Sequence, residues 1–275
     1  MTAINTNVKS LIAQQALTVN NRGLSKTMEQ LSTGKRINSA ADDAAGLSIS
    51  NKMTAQIRGL NQAVRNANDA ISMIQTAEGS LNEVTGMLQR MRELAVQSVN
   101  GTNSTADRAS LDAEYDQLAA EITRVSDKTT WNGMAINGAN AGGYSFQIGP
   151  GSSDTVTVSF IDIAVTGSTI TSAGAIGVAD VSAATSAITN LDSAISTVDA
   201  YRSTLGAMVN RLNYAADNLT NVSTNTAASR SRILDTDYAA ATTELARSQI
   251  IQQAATAMLA QANQSPSAVL SLLQQ

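Results

Sequence analysis

Apolar residues recur along two long stretches of the chain at alternating steps of four and three. This spacing keeps one stripe of a helix against a partner helix, as in a coiled coil. The first stripe comprises Met53, Ile57, Leu60, Val64, Ala67, Ile71, Ile74, Glu78, Leu81, Thr85, Leu88, Arg92, Ala95 and Val99. The second comprises Ala184, Ile188, Leu191, Ile195, Val198, Arg202, Leu205, Val209, Leu212, Ala216 and Leu219. We therefore predict two long helices that pair in opposite directions.

Polar residues interrupt these two stripes at Glu78, Thr85, Arg92 and Arg202. Polar groups at core positions of a coiled coil set the register between its helices. They also allow two packings of similar energy in some proteins. The pattern alone leaves both roles open.

Three shorter amphipathic helices are predicted beside the long ones. The first runs from Asn5 to about Thr33, the second carries Leu111 to Val125 on its apolar face, and the last ends before Ser265. Nothing else in the chain is available to cover the stripes of the two terminal helices, which predicts self-association. The self-assembly candidates are Val8, Leu11, Leu24, Leu31, Ile251, Met258, Val269, Leu270, Leu272 and Leu273.

The middle of the chain has the period of β-strands. Apolar and polar residues alternate over 144–148 and again over 156–160, with turn residues at 150–154. This pattern predicts a β-hairpin that lays one apolar face on the helices. The predicted fold class is mainly α: a long antiparallel coiled-coil rod formed by the N- and C-terminal halves, with a small β-hairpin segment between them.

The same patterns predict a division into three regions. A terminal coiled-coil domain comprises 1–40 and 235–275, a helical rod domain comprises 41–130 and 181–234, and a variable outer segment of the rod comprises 131–180. The first forty residues carry net positive charge and the last forty net negative charge, which fits their lying together.

Composition excludes several classes of function. The chain contains no Cys and no His, which removes thiol chemistry, a His-ligated zinc site and the usual general base near neutral pH. No phosphate loop or nucleophile elbow is present. We therefore predict a protein that is not an enzyme, with no catalytic residue, metal or cofactor. The net charge of −4 argues against nucleic acid as a partner. No run is apolar enough to predict a membrane span, and the N-terminus lacks the apolar core of a cleavable signal.

Asp42 and Asp43 stand where the first long helix should begin. Carboxylates at this place cap the free N–H groups of the helix and interact well with its dipole. The alternative is a pair of carboxylates for metal binding or acid–base chemistry. Capping is favoured because no His or Gly-rich loop accompanies the pair.

Several segments, taken in their order, resemble bacterial flagellin over nearly the whole chain. These segments are Ile4–Asn7, Leu31–Leu47, Ala77–Leu81, Gln89–Ser98, Trp131–Gly133, Ser229–Ile233, Asp237–Tyr238, Ala260–Gln264 and Val269–Leu273. Larger flagellins insert outer domains in the middle, whereas here roughly 130–180 has room only for the β segment. The resemblance is therefore to a near-minimal flagellin.

The resemblance implies a structural subunit that polymerises with itself into the extracellular flagellar filament for swimming motility. The terminal helices would pair into an inner tube, and the long helices and hairpin would form an outer tube. Export of the unfolded chain by the flagellar type III apparatus, with an export chaperone on the C-terminal segment, is implied as well. Filament cap and junction proteins would be further partners.

The resemblance also implies recognition by host receptors. Gln89, Arg90, Leu94 and Glu114 match positions contacted by the flagellin-sensing Toll-like receptor of animals, and the tail at 269–273 resembles the one read by cytosolic inflammasome receptors. The alternative, favoured as the primary role, is packing between subunits.

Three other functions fit the sequence less well than a filament subunit. A hook–filament junction protein would share the terminal helices, but the compact middle argues against it. An enzyme embedded in the middle is disfavoured by the absence of His, and a carbohydrate-binding adhesin by the scarcity of aromatic residues.

Overall fold

The computed structural model describes residues 7–139, 141–164 and 180–273, with side chains as far as residue 264 in the last helix. Its helices are α1 (Val8–Thr33), α2 (Ala44–Val99), α3 (Thr105–Lys128), α4 (Val181–Leu234) and α5 (Tyr238–Leu273). Its strands are β1 (Thr130–Trp131), β2 (Met134–Ala135), β3 (Gly143–Gln147) and β4 (Thr155–Ser159). The mainly α fold class with a small β segment in the middle is confirmed.

The chain separates into two compact units. The terminal unit comprises Met1–Ala55 and Asn225–Gln275, and the central unit comprises Gln56–Thr224. The predicted three-region division, with a break near residue 40 and another near 235, stays a prediction.

Along α2 in the central unit, every second position of the buried stripe lies one residue before the position predicted from the sequence. The buried positions at steps of three and four are Leu60, Ala63, Ala67, Ala70, Ile74, Ala77, Leu81, Val84, Leu88, Met91 and Ala95. The prediction is wrong at Glu78 and Arg92, which lie one residue after buried Ala77 and Met91. Thr85 is buried, and its Oγ1 donates to the carbonyl of Leu81 at 2.8 Å.

The same displacement by one residue occurs in α4. Its buried hydrophobic positions are Ala184, Ala187, Leu191, Ala194, Val198, Tyr201, Leu205 and Leu212. The predicted Ile188, Ile195 and Arg202 are only half-buried. Small side chains at a helix–helix seam let the two backbones approach closely, so alanine takes the central place and isoleucine packs along the edge.

The β segment covers part of the central core, as predicted. β3 pairs antiparallel with β4, so that Tyr144 is opposite Val158 and Phe146 is opposite Val156. Val156, Val158 and Phe160 are buried, and the rings of Tyr144 and Phe160 meet edge to face with centroids 5.8 Å apart. The alternating pattern over 156–160 is thus confirmed as one buried and one exposed face.

A second, smaller hairpin joins β1 to β2. Its two turn residues, Asn132 and Gly133, have φ of 50° and 79°. Positive φ at both central residues is the geometry of a tight β-hairpin turn, which asparagine and glycine tolerate best.

Asn137 anchors the loop that follows β2. Its side chain is fully buried and donates from Nδ2 to Ser80 Oγ of α2 at 2.5 Å. Its backbone carbonyl accepts from Ser126 Oγ of α3 and from the N–H of Ile163. These bonds tie the loop to two helices of the central unit.

Candidate assembly surface

Within the terminal unit, α1 and α5 lie side by side in opposite directions. Asn7 Oδ1 accepts from the N–H of Ser10 and caps α1, while Asp237 Oδ1 accepts from the N–H of Ala239 and caps α5. Such side-chain acceptors satisfy donors that the first helical turn leaves free. Gly34 follows α1 as its C-cap, and its φ of 68° is the left-handed conformation typical of that position.

The side of α5 turned towards α1 follows an exact alternation of four and three. Its partly or fully buried positions are Ala241, Leu245, Ser248, Gln252, Ala255, Leu259 and Ala262. The matching positions of α1 are Asn7, Ser10, Ala13, Leu17, Asn20, Asn21, Leu24, Thr27 and Leu31. Of the self-assembly candidates, Leu24 and Leu31 therefore face α5 of the same chain.

Polar side chains cross this interface along its length. Asn7 Nδ2 donates to the carbonyl of Ala262 at 2.7 Å, and Asn20 Nδ2 donates to the carbonyl of Ser248 at 2.9 Å. Two side-chain pairs add to them: Ser10 Oγ donates to Asn263 Oδ1 at 2.8 Å, and Gln252 Nε2 donates to Asn21 Oδ1 at 3.1 Å. Sequence reasoning identified none of these bonds, because the spacing of apolar positions does not show which polar side chains meet across an interface.

The prediction that the last helix ends before Ser265 is wrong, because α5 continues to Leu273. Pro266 has no N–H and cannot donate to the carbonyl four residues earlier, at Ala262. Asn7 donates to that same carbonyl. The side-chain amide of Asn7 therefore supplies a hydrogen-bond donor to the carbonyl that Pro266 cannot reach with an N–H of its own.

The end of α1 and the start of α5 are joined by backbone hydrogen bonds. The N–H of Arg36 donates to the carbonyl of Leu234 at 2.7 Å, and the N–H of Thr236 donates to the carbonyl of Gly34 at 3.0 Å. The resulting bridge pairs Lys35 with Asp235 in antiparallel fashion. It fixes where the two helices of the pair begin to run together.

The two aspartates before α2 have separate roles. Asp43 Oδ1 accepts from the N–H of Gly46 and caps the helix, as predicted. Asp42 instead closes the preceding turn, accepting from the N–H groups of Asn38 and Ser39, and pairs with Lys26 Nζ at 2.8 Å. The hydrogen bond from Lys26, followed by those from the two backbone groups, holds the pKa of Asp42 well below its usual range.

Large apolar side chains of the terminal helices remain exposed although the two helices pair. The exposed side chains are Val8, Leu11, Ile12, Val19 and Met28 of α1 and Ile250, Ile251 and Met258 of α5. Ile12 and Met258 are 62% and 66% exposed. The self-assembly candidates included Val8, Leu11, Ile251 and Met258, but not Ile12, Val19, Met28 or Ile250. The candidates Val269, Leu270, Leu272 and Leu273 lie outside the residues whose side chains are described.

An apolar groove runs between α1 and α5 beside these exposed side chains. Its walls are Lys9, Ile12, Ala13 and Ala16 from α1 and Ala255, Met258, Gln261 and Ala262 from α5. The small side chains of the alanines leave the groove open, and Ile12 and Met258 form its two rims. A groove of this composition can accept apolar side chains from another helix.

The receptor-contact candidates lie in the central unit. Arg90 donates from Nε and Nη2 to Glu114 Oε1 of α3 at 3.0 and 2.9 Å, and from Nη1 to Glu93 at 3.0 Å. These bonds, with that from Glu114 first, raise the pKa of Arg90. Gln89, Arg90 and Glu114 are exposed, but Leu94 is fully buried in the core and cannot touch a partner in this arrangement.

No group of three acidic residues within the described ranges is arranged to hold a metal ion. Among the helices described, none combines the length and apolar character needed to cross a bilayer.

Comparison with known proteins identifies two family regions, one in each half of the chain. The profile of the bacterial flagellin N-terminal helical region matches residues 4–140, and that of the bacterial flagellin C-terminal helical region matches residues 188–273. A flagellin of Halalkalibacterium halodurans is 46% identical over 270 residues, which cover 98% of this chain and 99% of the relative.

Solved structures agree with this result. The crystal structure of Bacillus cereus flagellin is 36% identical, with a TM-score of 0.52, and the match covers 60% of this chain and 94% of that one. A protein described as flagellar hook-associated from Vibrio parahaemolyticus matches with a TM-score of 0.60 over 70% of this chain and all (100%) of that chain, but at 13% identity, which shows a shared fold alone. The chain belongs to the bacterial flagellin family, whose members are the subunits of the flagellar filament.

Proposed function

We propose that this chain polymerises through the outward faces of α1 and α5 into an extracellular filament that drives swimming. The observation that carries the proposal is the set of large apolar side chains left exposed on both terminal helices. Burying one such side chain contributes about 1.5–3 kcal/mol. A few of them, repeated at every subunit, suffice for a stable helical polymer.

Substitutions at the exposed apolar positions test this proposal. We expect Met258→Asp to abolish seeded polymerisation, since it places a charge in a surface that neighbouring subunits would bury. The matched control is Gln253→Asp, at an exposed polar position of the same helix. Sedimentation and electron microscopy after seeding are the measurements. Long filaments from the Met258→Asp chain would overturn the proposal.

The same experiment separates a filament subunit from a hook–filament junction protein. A junction protein would add only a short cap to a seed, whereas a filament subunit continues to grow. Continued growth of the parent chain is the expected result, and elongation limited to a short cap would favour the junction alternative.

Export in an unfolded state is the second part of the proposal. The interface between α1 and α5 is partly polar, and among the described residues of α1 only Thr27 is buried. A pair with so little buried apolar surface unfolds easily, which suits passage through the type III apparatus and capture of α5 by an export chaperone. A Cys pair at Ala13 and Ala255, closed by oxidation before export, should block secretion; reduction should restore it.

Swimming should follow assembly. In a strain that produces only this flagellin, Met258→Asp is expected to remove spreading in soft agar, while Gln253→Asp spreads like the parent. Loss of spreading with normal filaments on the cell would show that the outward apolar face acts after assembly instead.

Recognition by a Toll-like receptor is proposed for the exposed surface formed by Gln89, Arg90 and Glu114. The support is its accessibility and the fixed position of the Arg90 guanidinium on Glu114. Arg90→Ala is expected to weaken binding to the receptor ectodomain at least about tenfold, as for a charged anchor residue at an interface. Arg124→Ala, which removes another exposed arginine paired with a glutamate, is the control. Recognition of the tail at 269–273 by inflammasome receptors remains a proposal on the sequence.

A further inference from the structure

The apolar residues of the α1–α5 pair do not by themselves select the register that the structure shows. The cross-helix bonds of Asn20 and Asn21 place Leu17 at the level of Gln252, and place Leu24 at the level of Leu245. Tyr238 stands at the level of Leu31. Only one level of the interface therefore brings two leucines together.

A register shifted by one heptad would bring more leucines together. Moving α5 by seven residues sets Leu17 against Leu259, and sets Leu31 against Leu245. It also sets Ala13 against Ala262, so the small residues still match. A shift by a whole heptad keeps the same helix faces in contact, which makes it the natural competitor of the observed register.

Polar groups distinguish the two registers. In the observed register, Asn20 Nδ2 donates to the carbonyl of Ser248, and Asn21 Oδ1 accepts from Gln252 Nε2. After the shift, Asn20 would meet the backbone carbonyl of Ala255 and could donate to it as it now does to that of Ser248. Asn21 would instead lie against Leu259 and lose its side-chain partner Gln252. A buried asparagine selects register in other coiled coils by the same physics, because an unmade hydrogen bond is costly.

We infer that Asn21, through its pair with Gln252, selects the register of the α1–α5 pair and thereby the shape of the groove offered to a neighbouring subunit. The groove exists because Ala13 and Ala16 lie beside Ala255 and Met258. A heptad shift would move Met258 away from Ile12 and change both rims. The inference rests on the proposed assembly function and specifies which residues make the assembly surface correct.

The backbone bridge between Lys35 and Asp235 favours the same register from the other end of the pair. α1 ends two residues before Lys35 and α5 begins three residues after Asp235, so a heptad shift would have to break this bridge or unwind a helix end. The bridge and the Asn21–Gln252 pair therefore favour the observed register together.

Cysteine cross-linking reads the register directly, because the chain has no Cys of its own. One reporter carries Ala13→Cys with Ala255→Cys, which face each other in the observed register. The other carries Ala13→Cys with Ala262→Cys, which would face each other after a heptad shift. Each reporter is built in the parent chain, in Asn21→Ala, and in a control with Gln14→Ala on the exposed side of α1.

Alanine is a better helix former than asparagine or glutamine, so both substitutions strengthen α1 itself. In the parent and the control, the first reporter is expected to oxidise at least about tenfold faster than the second. In the asparagine variant this preference should fall by about three- to tenfold, through loss of the one hydrogen bond that only the observed register allows. An unchanged preference would overturn the inference.

Oxidation is measured in the sedimenting and the soluble fraction of each seeded sample. A parent chain that never sediments contradicts the proposed assembly, while its soluble fraction still reports the register. A chain that sediments with the same reporter preference in all three backgrounds supports assembly and contradicts the role of Asn21. The two failures are therefore distinguishable.

Discussion

At the scale of single residues, alanines occupy buried positions where the helices of the central unit pack together. Ala77 is fully buried, whereas Glu78 beside it is half-exposed. Ala77→Leu should therefore lower the free energy of unfolding of the central unit by about 1–3 kcal/mol through overpacking. Glu78→Leu is the matched comparison and should change it by less than about 0.5 kcal/mol. Thermal and denaturant unfolding measure both. Stabilisation by Glu78→Leu together with a neutral Ala77→Leu would restore the stripe first predicted from the sequence.

This pair of residues also shows why the sequence stripe is wrong at alternate positions. One half of the stripe, including Leu60, Leu81 and Leu88, is identified by large apolar residues and is buried as predicted. The other half contains alanines next to larger neighbours, such as Ala70 beside Ile71. A sequence rule that favours the larger apolar side chain selects Ile71 in place of Ala70. Close helix packing favours the smaller one, and that preference becomes visible only when both helices are present.

The ion pair between Lys26 and Asp42 predicts a specific response to acid. Because the pKa of Asp42 is lowered in the folded chain, its contribution to stability is present above the ordinary carboxylate pKa of about 4 and is lost as pH falls towards the lowered value. Lys26→Met should raise this pKa part of the way back, since the N–H groups of Asn38 and Ser39 still donate. The turn should then loosen at a higher pH than in the parent.

An NMR titration of the Asp42 carboxyl carbon measures this shift, with Lys35→Met as a control in the neighbouring loop. An Asp42 pKa that is the same in the parent and in Lys26→Met would show that the backbone donors alone account for the lowered value.

At the scale of elements, the β3–β4 hairpin is a cover for the central core and not a separate module. Val156, Val158 and Phe160 point into that core, while Thr157 is exposed on the other face. Phe160→Ala should destabilise the central unit by about 3–5 kcal/mol, the usual cost of removing a buried aromatic ring. Thr157→Ala should leave it nearly unchanged. If Phe160→Ala melts only the hairpin, seen as a separate transition, the hairpin does not share the cooperativity of the helices.

Elements were predictable from the sequence where one period dominated. The two long helices, the hairpin and the helix of the N-terminal segment follow from period and turn residues. The end of α5 did not, because Pro266 predicts a stop whereas the helix continues to Leu273. The bond from Asn7 to the carbonyl of Ala262 comes from the far end of the sequence, so no local rule could include it. The polar contacts that define the candidate site were missed for the same reason.

At the scale of the whole molecule, apolar burial is distributed very unevenly between the two units. Among the described residues, the buried apolar residues of the terminal unit are Ile37 and Ala241, whereas the central unit has a continuous core along α2, α3 and α4. Local stability follows the density of buried contacts, so the terminal unit should open more readily than the central unit.

Hydrogen exchange tests this difference in the full chain. In dilute solution, amides of α1 and α5 should exchange on the order of 100-fold faster than those around Leu81 and Leu88, because opening the pair exposes little apolar surface. In the polymer, neighbouring copies would cover Ile12 and Met258, and amides of both terminal helices should become strongly protected. The Met258→Asp chain, which should remain in solution, provides the unpolymerised control under identical conditions. Terminal amides already as protected as the central core before polymerisation would mean that the pair is stable alone, and that the exposed apolar residues do not couple its order to assembly.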